Sequence, residues 1–353
     1  MRRPPFQVNP LALSVALLLA APVAAVAQDT PLTTNSSAVI TNPVVVISGS
    51  GSITTNNIGN VTELSGVVSG TGQLVKQGDG TLSLTNNNTY QSTVIEQGTL
   101  SIKRASSLGD GDVTITEGST LATQTSTTIT NKINLTPETP VDNPLTTAAT
   151  ISTVGKENIT QVTSSIAGSS GLIKSGDGTL SLTADNAYAG NTTIQQGTLA
   201  ISREGSLGAG TAVSISNGAV LQTNKDVTIS KDVILNTNST IDTFGNNSKV
   251  TGNISGSGFL VKSGDGSLTL DTKVTASDGT VSYTGNSYDG GTWIKGGLLI
   301  VNDNKDLGKA NTDVAITGGT LQIANDITLE RNIITASSSG GSISTAGHNV
   351  VLD

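Results

Sequence analysis

The chain has 353 residues, with 26 acidic against 18 basic side chains, no cysteine and one histidine. That balance excludes a nucleic-acid surface built on clustered Lys and Arg, and it leaves zinc or thiol chemistry without ligands. Aromatic residues are only 2% and charged residues 12%, so the surface must be covered by Ser, Thr, Asn and Gly.

Residues 1–27 read as a secretory signal peptide. Arg2 and Arg3 give a basic start, Leu11 to Ala21 an apolar run, and Ala25-Val26-Ala27 a small-residue cleavage site, with Gln28 as the mature N-terminus. The competing reading is an uncleaved anchor, but Pro22 interrupts an apolar stretch already marginal for a membrane span. The chain is therefore expected to be exported, to the cell surface, the outer membrane or the medium. The lack of cysteine suits a chain that must cross a second membrane without cross-links.

After an N-terminal β segment over 28–65, one pattern is written three times, over 66–165, 166–251 and 252–353. The first copy contains Lys76-Gln77-Gly78-Asp79-Gly80-Thr81-Leu82-Ser83-Leu84, the second Lys174-Ser175-Gly176-Asp177-Gly178-Thr179-Leu180-Ser181-Leu182, and the third Lys262-Ser263-Gly264-Asp265-Gly266-Ser267-Leu268-Thr269-Leu270. Later markers keep step at intervals of 98 to 100 residues: Tyr90, Tyr188 and Tyr288; Gly98, Gly197 and Gly297; Leu108-Gly109, Leu207-Gly208 and Leu307-Gly308. Two segments break the pattern, a Pro-rich loop at 136–144 and an insertion at 274–284. Self-similarity of this kind signals stacked units that hide their apolar faces against one another.

Within each copy the local period is two. Leu82 and Leu84, Leu100 and Ile102, and Val113 and Ile115 alternate with Thr and Ser, which predicts short half-buried strands. Gly-Asp-Gly and Asn-rich corners separate them. The fold class is all-β, a parallel β-helix in which each copy holds several coils. The alternative is a row of tandem β-sandwich repeats, which the repeat length fits. Core chemistry favours the β-helix, because a sandwich of this size buries large aromatics and this chain offers few.

These motifs resemble the passenger-associated repeat of autotransporters. The second copy supplies Asn186-Ala187-Tyr188-Ala189-Gly190 and Gly197-Thr198-Leu199. The third supplies Asn286-Ser287-Tyr288-Asp289-Gly290 and Gly297-Leu298-Leu299, and the first departs with Asn88-Thr89-Tyr90-Gln91-Ser92. The resemblance implies a right-handed β-helical passenger carried outward by a C-terminal β-barrel translocator in cis, with repeats that aid secretion and folding. Ile343 to Asn349 aligns with Ile241 to Asn247, so the sequence stops where a fourth copy is expected to begin. It reads as a fragment or a truncated product, without the barrel expected in cis; a truly truncated chain is expected to stay in the periplasm.

The search for chemistry gives no catalytic, cofactor or metal residue. His348 aligns with Asn246 and reads as a turn residue. Asp79, Asp177 and Asp265 read as corner residues, their spacing far from that of a calcium roll, and Asp110 and Asp112 are isolated. Tyr90, Tyr188 and Tyr288 are expected to pack beneath loops, the alternative being a glycan-binding ladder. Lys76, Lys174 and Lys262 are expected to project into solvent from strand edges. The functional expectation is a non-enzymatic passenger segment, a stalk supporting secretion and adhesion to a host-surface or glycan ligand. Its rivals are a β-helical polysaccharide-processing enzyme, which needs acids clustered in one groove, and a tandem-sandwich binding module.

Overall fold

The computed structural model describes residues 24–26, 32–46, 49–137, 148–335 and 340–353. Most of the signal-peptide and Pro-rich-loop expectations lie outside these residues. Among the described residues every strand pairing is parallel except one hairpin, Lys273–Thr275 with Val281–Tyr283, and no α-helix occurs. The chain is a parallel β-solenoid of about fifteen turns. Parallel in-register stacking rules out the tandem sandwiches, whose strands pair antiparallel within each sheet.

Each coil has three faces. Along the second face, Val61–Leu64, Thr81–Leu84, Thr99–Ile102 and Thr120–Thr123 stack in order. Their inward residues form straight columns: Leu82, Leu100, Leu121 and Ile151 in one, Leu84, Ile102, Thr123 and Thr153 in the next. All eight are fully buried. Alternation puts Thr, Ser and Gln outside, which is why so few large side chains suffice. Each buried aliphatic side chain contributes about 1.5–3 kcal/mol against exposure.

The copies do not stack directly above one another. From Ser50–Thr55 to its counterpart Ala148–Thr153 the chain passes thirteen face positions: eleven strands, the segment at 88–90 and the single 3-10 turn Ala105–Leu108. Thirteen is four coils of three faces and one face more. Each copy is therefore rotated by one face relative to its predecessor. The strand carrying Lys76 lies in the first sheet, that carrying Lys174 in the second and that carrying Lys262 in the third.

Every face is interrupted once, by the Asn-x-Tyr segment and the 3-10 turn above it. On the first copy's interrupted face, Thr89 N–H donates to Val68 O at 2.9 Å, Asn88 N–H to Ser106 O at 2.8 Å, and Ala105 N–H to Thr127 Oγ1 at 2.9 Å. The stack thus passes from strand to strand through the turn. The insertion at 274–284 forms the antiparallel hairpin, at the corner that precedes Asn286.

Candidate functional site

The recurring markers converge on one buried module per copy, with lysine at its centre. Lys76 lies in an inward column between Ile53 and Ile95, Lys174 between Ile151 and Ile194, and Lys262 between Ile241 and Ile294. All three are fully buried, so the expectation that they project into solvent is wrong. The corner bends the chain back over the end of each strand, and the ammonium finds carbonyl oxygens there that water would otherwise have to satisfy.

The geometry repeats closely. Lys76 Nζ donates to Gln77 O at 2.8 Å, Gly78 O at 2.6 Å and Gln97 O at 3.0 Å. Lys174 Nζ donates to Ser175 O and Gly176 O, both at 2.7 Å, and to Gln196 O at 3.0 Å. Lys262 Nζ donates to Ser263 O at 2.6 Å, Gly264 O at 2.8 Å and Gly296 O at 3.1 Å. Two acceptors belong to the lysine's own coil and the third to the next. Three donors meet three acceptors, the full capacity of an ammonium group. Burial pushes each amine down to about 8, opposed by the nearby carboxylates of Asp79, Asp177, and Asp242 with Asp265.

Glycine makes the third bond possible. Gly98 has φ +70° and sits on the Gly-Asp-Gly corner below, where a Cβ would stand 2.4 Å from Gly78 O. Gly197 and Gly297 meet Gly176 O and Gly264 O in the same way, at 2.5 and 2.4 Å. No other residue fits both the backbone conformation and the space.

Asparagine and tyrosine extend the module. Asn88 Oδ1 accepts from Val68 N–H of the coil below at 2.8 Å, while its Nδ2 donates to Ser107 O of the coil above at 2.9 Å. Asn186 and Asn286 repeat both bonds, to Ile166 and Ser206 and to Ile254 and Asp306. The side-chain amide replaces a strand's backbone where the face is interrupted. Tyr90, Tyr188 and Tyr288 are fully buried, with their rings packed against Gly109, Gly208 and Gly308. Their hydroxyls pair with Thr93, Thr192 and Thr292 at 2.8, 2.6 and 2.6 Å. Desolvation raises all three phenols above their ordinary value. Buried rings offer no platform to a sugar.

The recurrent acids do not come together. Asp79 accepts from Gln97 Nε2 at 2.6 Å and Asp177 from Gly155 N–H at 2.7 Å, and the one-face rotation of successive copies separates Asp79, Asp177 and Asp265 around the solenoid. Asp110 and Asp112 are exposed corner residues. His348 lies in a turn, its N–H donating to Thr345 O at 2.9 Å, with Nδ1 3.4 Å from Asp326 Oδ1. Among the described residues no group of three or more His, Cys, Asp or Glu is placed to hold a metal ion.

Comparison with known proteins agrees with the module. The family described as passenger-associated-transport-repeat matches residues 74–102, 172–201 and 260–301. Each match opens two residues before a buried lysine and runs through the following Gly-Thr-Leu or Gly-Leu-Leu strand. The chain is also 37% identical over 141 residues to the adhesin BmaC autotransporter of Brucella suis biovar 1 (strain 1330). That alignment covers 38% of this chain and 4% of the relative, so the chain corresponds to a small part of the relative's length. No solved structure matches. The chain carries three passenger-associated transport repeats of the kind found in autotransporter passengers, and each is built around one buried lysine.

Proposed function

We propose that this chain is a segment of an exported autotransporter passenger, displayed at the cell surface as a rigid stalk and carried outward by a translocator barrel in cis. The observation that supports it most directly is the continuous parallel solenoid interrupted at regular intervals by the three repeats. About fifteen coils at the parallel-strand spacing give a rod about 70 Å long. A stalk needs only stiffness and a hydrophilic exterior, and outward Thr, Ser, Asn and Gln supply the latter. Adhesion is the output we assign to the assembled protein, in keeping with the adhesin among its relatives. The corner hairpin at 273–283 is where a ligand contact is first to be sought, since loops on a rigid scaffold are free to vary. An enzyme of the polysaccharide-processing kind is disfavoured by the separation of the recurrent acids.

Two measurements test the reading. Small-angle scattering of residues 28–353 is expected to give a rod with a cross-section of one solenoid, and a compact sphere overturns the stalk. Fused to an autotransporter barrel, the same segment is expected to reach the cell surface and be removed by external protease. Cells bearing it should then bind host cells or glycan-coated beads better than cells bearing the barrel alone. Display without binding would leave the stalk and remove adhesion from this segment.

A further inference from the structure

We infer that Lys76, Lys174 and Lys262 are register keys, each of which lets a solenoid of near-identical strands tell the correct next coil from the one after it. Successive strands on the second face read Thr81-Leu82-Ser83-Leu84, Thr99-Leu100-Ser101-Ile102 and Thr120-Leu121-Ala122-Thr123. Their first inward residue is leucine in all three, the second is Leu84, Ile102 or Thr123, and their outward residues are small. Strand 120–123 laid directly on strand 81–84, with one coil looped out, would recover the same backbone bonds and the same leucine column, losing apolar contact only where Thr123 replaces Ile102. Patterning specifies which face a strand presents, but here it scarcely specifies which coil is next.

The lysine module does. The third carbonyl on Lys76 is that of Gln97, and the glycine that allows the approach is Gly98. In a skipped-coil pairing, Ile115 would take the place of Ile95 and Thr120 that of Thr99, so the four residues 116–119 would have to stand where the three residues 96–98 stand. That longer corner is bulged: a Cβ on Gly118 would meet nothing within 4 Å, whereas Gly98 sits directly on the corner below it. The carbonyl would be held off, and the ammonium, in a column between isoleucines, would lack its third acceptor. A buried charge that is satisfied in only one arrangement penalises the alternatives far more than it stabilises the native one. The key recurs on each face in turn as the copies rotate, so a slipped coil meets one within about four coils.

The absence of cysteine allows a direct test by disulfide trapping during oxidative refolding from denaturant. Ser83 and Ser101 are register partners on adjacent coils. Ser83 and Ala122 lie two coils apart, at roughly 10 Å, beyond disulfide reach. Chains carrying S83C/S101C report native stacking and chains carrying S83C/A122C report a skipped coil. Each pair is placed in wild type, in Lys76→Met and in Ile95→Ala. The last variant weakens the same column without touching the ammonium. The expected result is a ratio of skipped to native cross-link at least about tenfold higher in Lys76→Met than in Ile95→Ala. Equal ratios in the two variants overturn the inference and reduce the lysine to a stabilising contact. Because the readout is a ratio against a destabilised control, it holds even where Lys76→Met refolds poorly. Lys174→Met, with S181C/A200C and S181C/Q222C as its two pairs, repeats the comparison in the second copy.

Discussion

Copies one and two close the corner before the tyrosine segment within a few residues, whereas copy three opens the same corner into a hairpin. One buried position registers the difference. Ser107 Oγ donates to Asn86 O at 2.8 Å, and Ser206 Oγ donates to Leu182 O and Ala184 O at 3.1 and 3.2 Å. In copy three the residue is Asp306, which is fully buried and accepts instead, from Thr272 Oγ1 at 2.6 Å and from the N–H groups of Asn302 and Asp303 at 2.8 and 3.1 Å. Thr272 stands at the position of Asn86 and Ala184, but its carbonyl is taken by Thr284 at the hairpin root, and its hydroxyl faces Asp306 instead. The side chain inverts from donor to acceptor to match. Lys249 with Asp271 at 2.5 Å, and Asn325 Nδ2 donating to Tyr283 Oη at 3.0 Å, fasten the rest of the hairpin root. Copy three therefore accommodates its insertion with the polarity of one buried bond inverted.

The part common to all copies should be the most sensitive. Gly98→Ala or Gly197→Ala forces a Cβ onto a backbone carbonyl at a positive φ, and each is expected to cost about 4 kcal/mol, read from the denaturant midpoint. The part that differs comes next. Asp306→Ala strands a hydroxyl and two N–H groups and should cost about 3 kcal/mol, against about 1 kcal/mol for Ser107→Ala, which removes a single donor. Asp306→Ser combined with deletion of 273–284 rebuilds copy three on the plan of copy two. That combination should cost less than Asp306→Ser alone, and additive costs would mean that the hairpin and Asp306 are independent.

Much of the solenoid was legible in the sequence because period two, Thr-rich strands and glycine corners each report a local requirement. The tyrosines were placed correctly under their loops. The lysines were not, because charge on a strand normally means solvent, and the signal against it is indirect. Each lysine sits where the alternation calls for an inward aliphatic residue, just before a Gly-x-Gly corner that turns its carbonyls inward. The one-face rotation was also missed, since it follows from the coil length and the repeat length together, and only the repeat length can be read directly. Positions 131, 231 and 331 were invisible for a different reason. Asn131 Nδ2 donates to Gly109 O and Gly111 O, Lys231 Nζ to Gly210 O, and Arg331 to Asn304 O and Leu307 O. Three unlike side chains perform one task, satisfying carbonyls around the 3-10 turn, and no residue pattern reports it.

A further expected effect lies in the alkaline pH dependence, where the two buried groups of one module oppose each other. Each lysine has its folded value pushed down to about 8, below its unfolded value of 10.5. Between those limits the unfolded chain binds more protons, so this group's contribution makes stability rise with pH. Each tyrosine is shifted the other way, above its unfolded value of 10. Its contribution is fully present below pH 10 and is lost as pH rises further, because the unfolded phenol ionises and the buried one does not. Stability is therefore expected to climb from about pH 8, pass a maximum near pH 10 and then fall. Replacing all three tyrosines by Phe should remove most of the fall while costing about 1 kcal/mol per site for the lost hydroxyl bond. Replacing one lysine by Met should remove about a third of the rise and leave the fall. Denaturant midpoints measured from pH 7 to 11 separate the two. A Tyr-to-Phe triple variant that still loses stability above pH 10 as wild type does would place the alkaline limb outside the module.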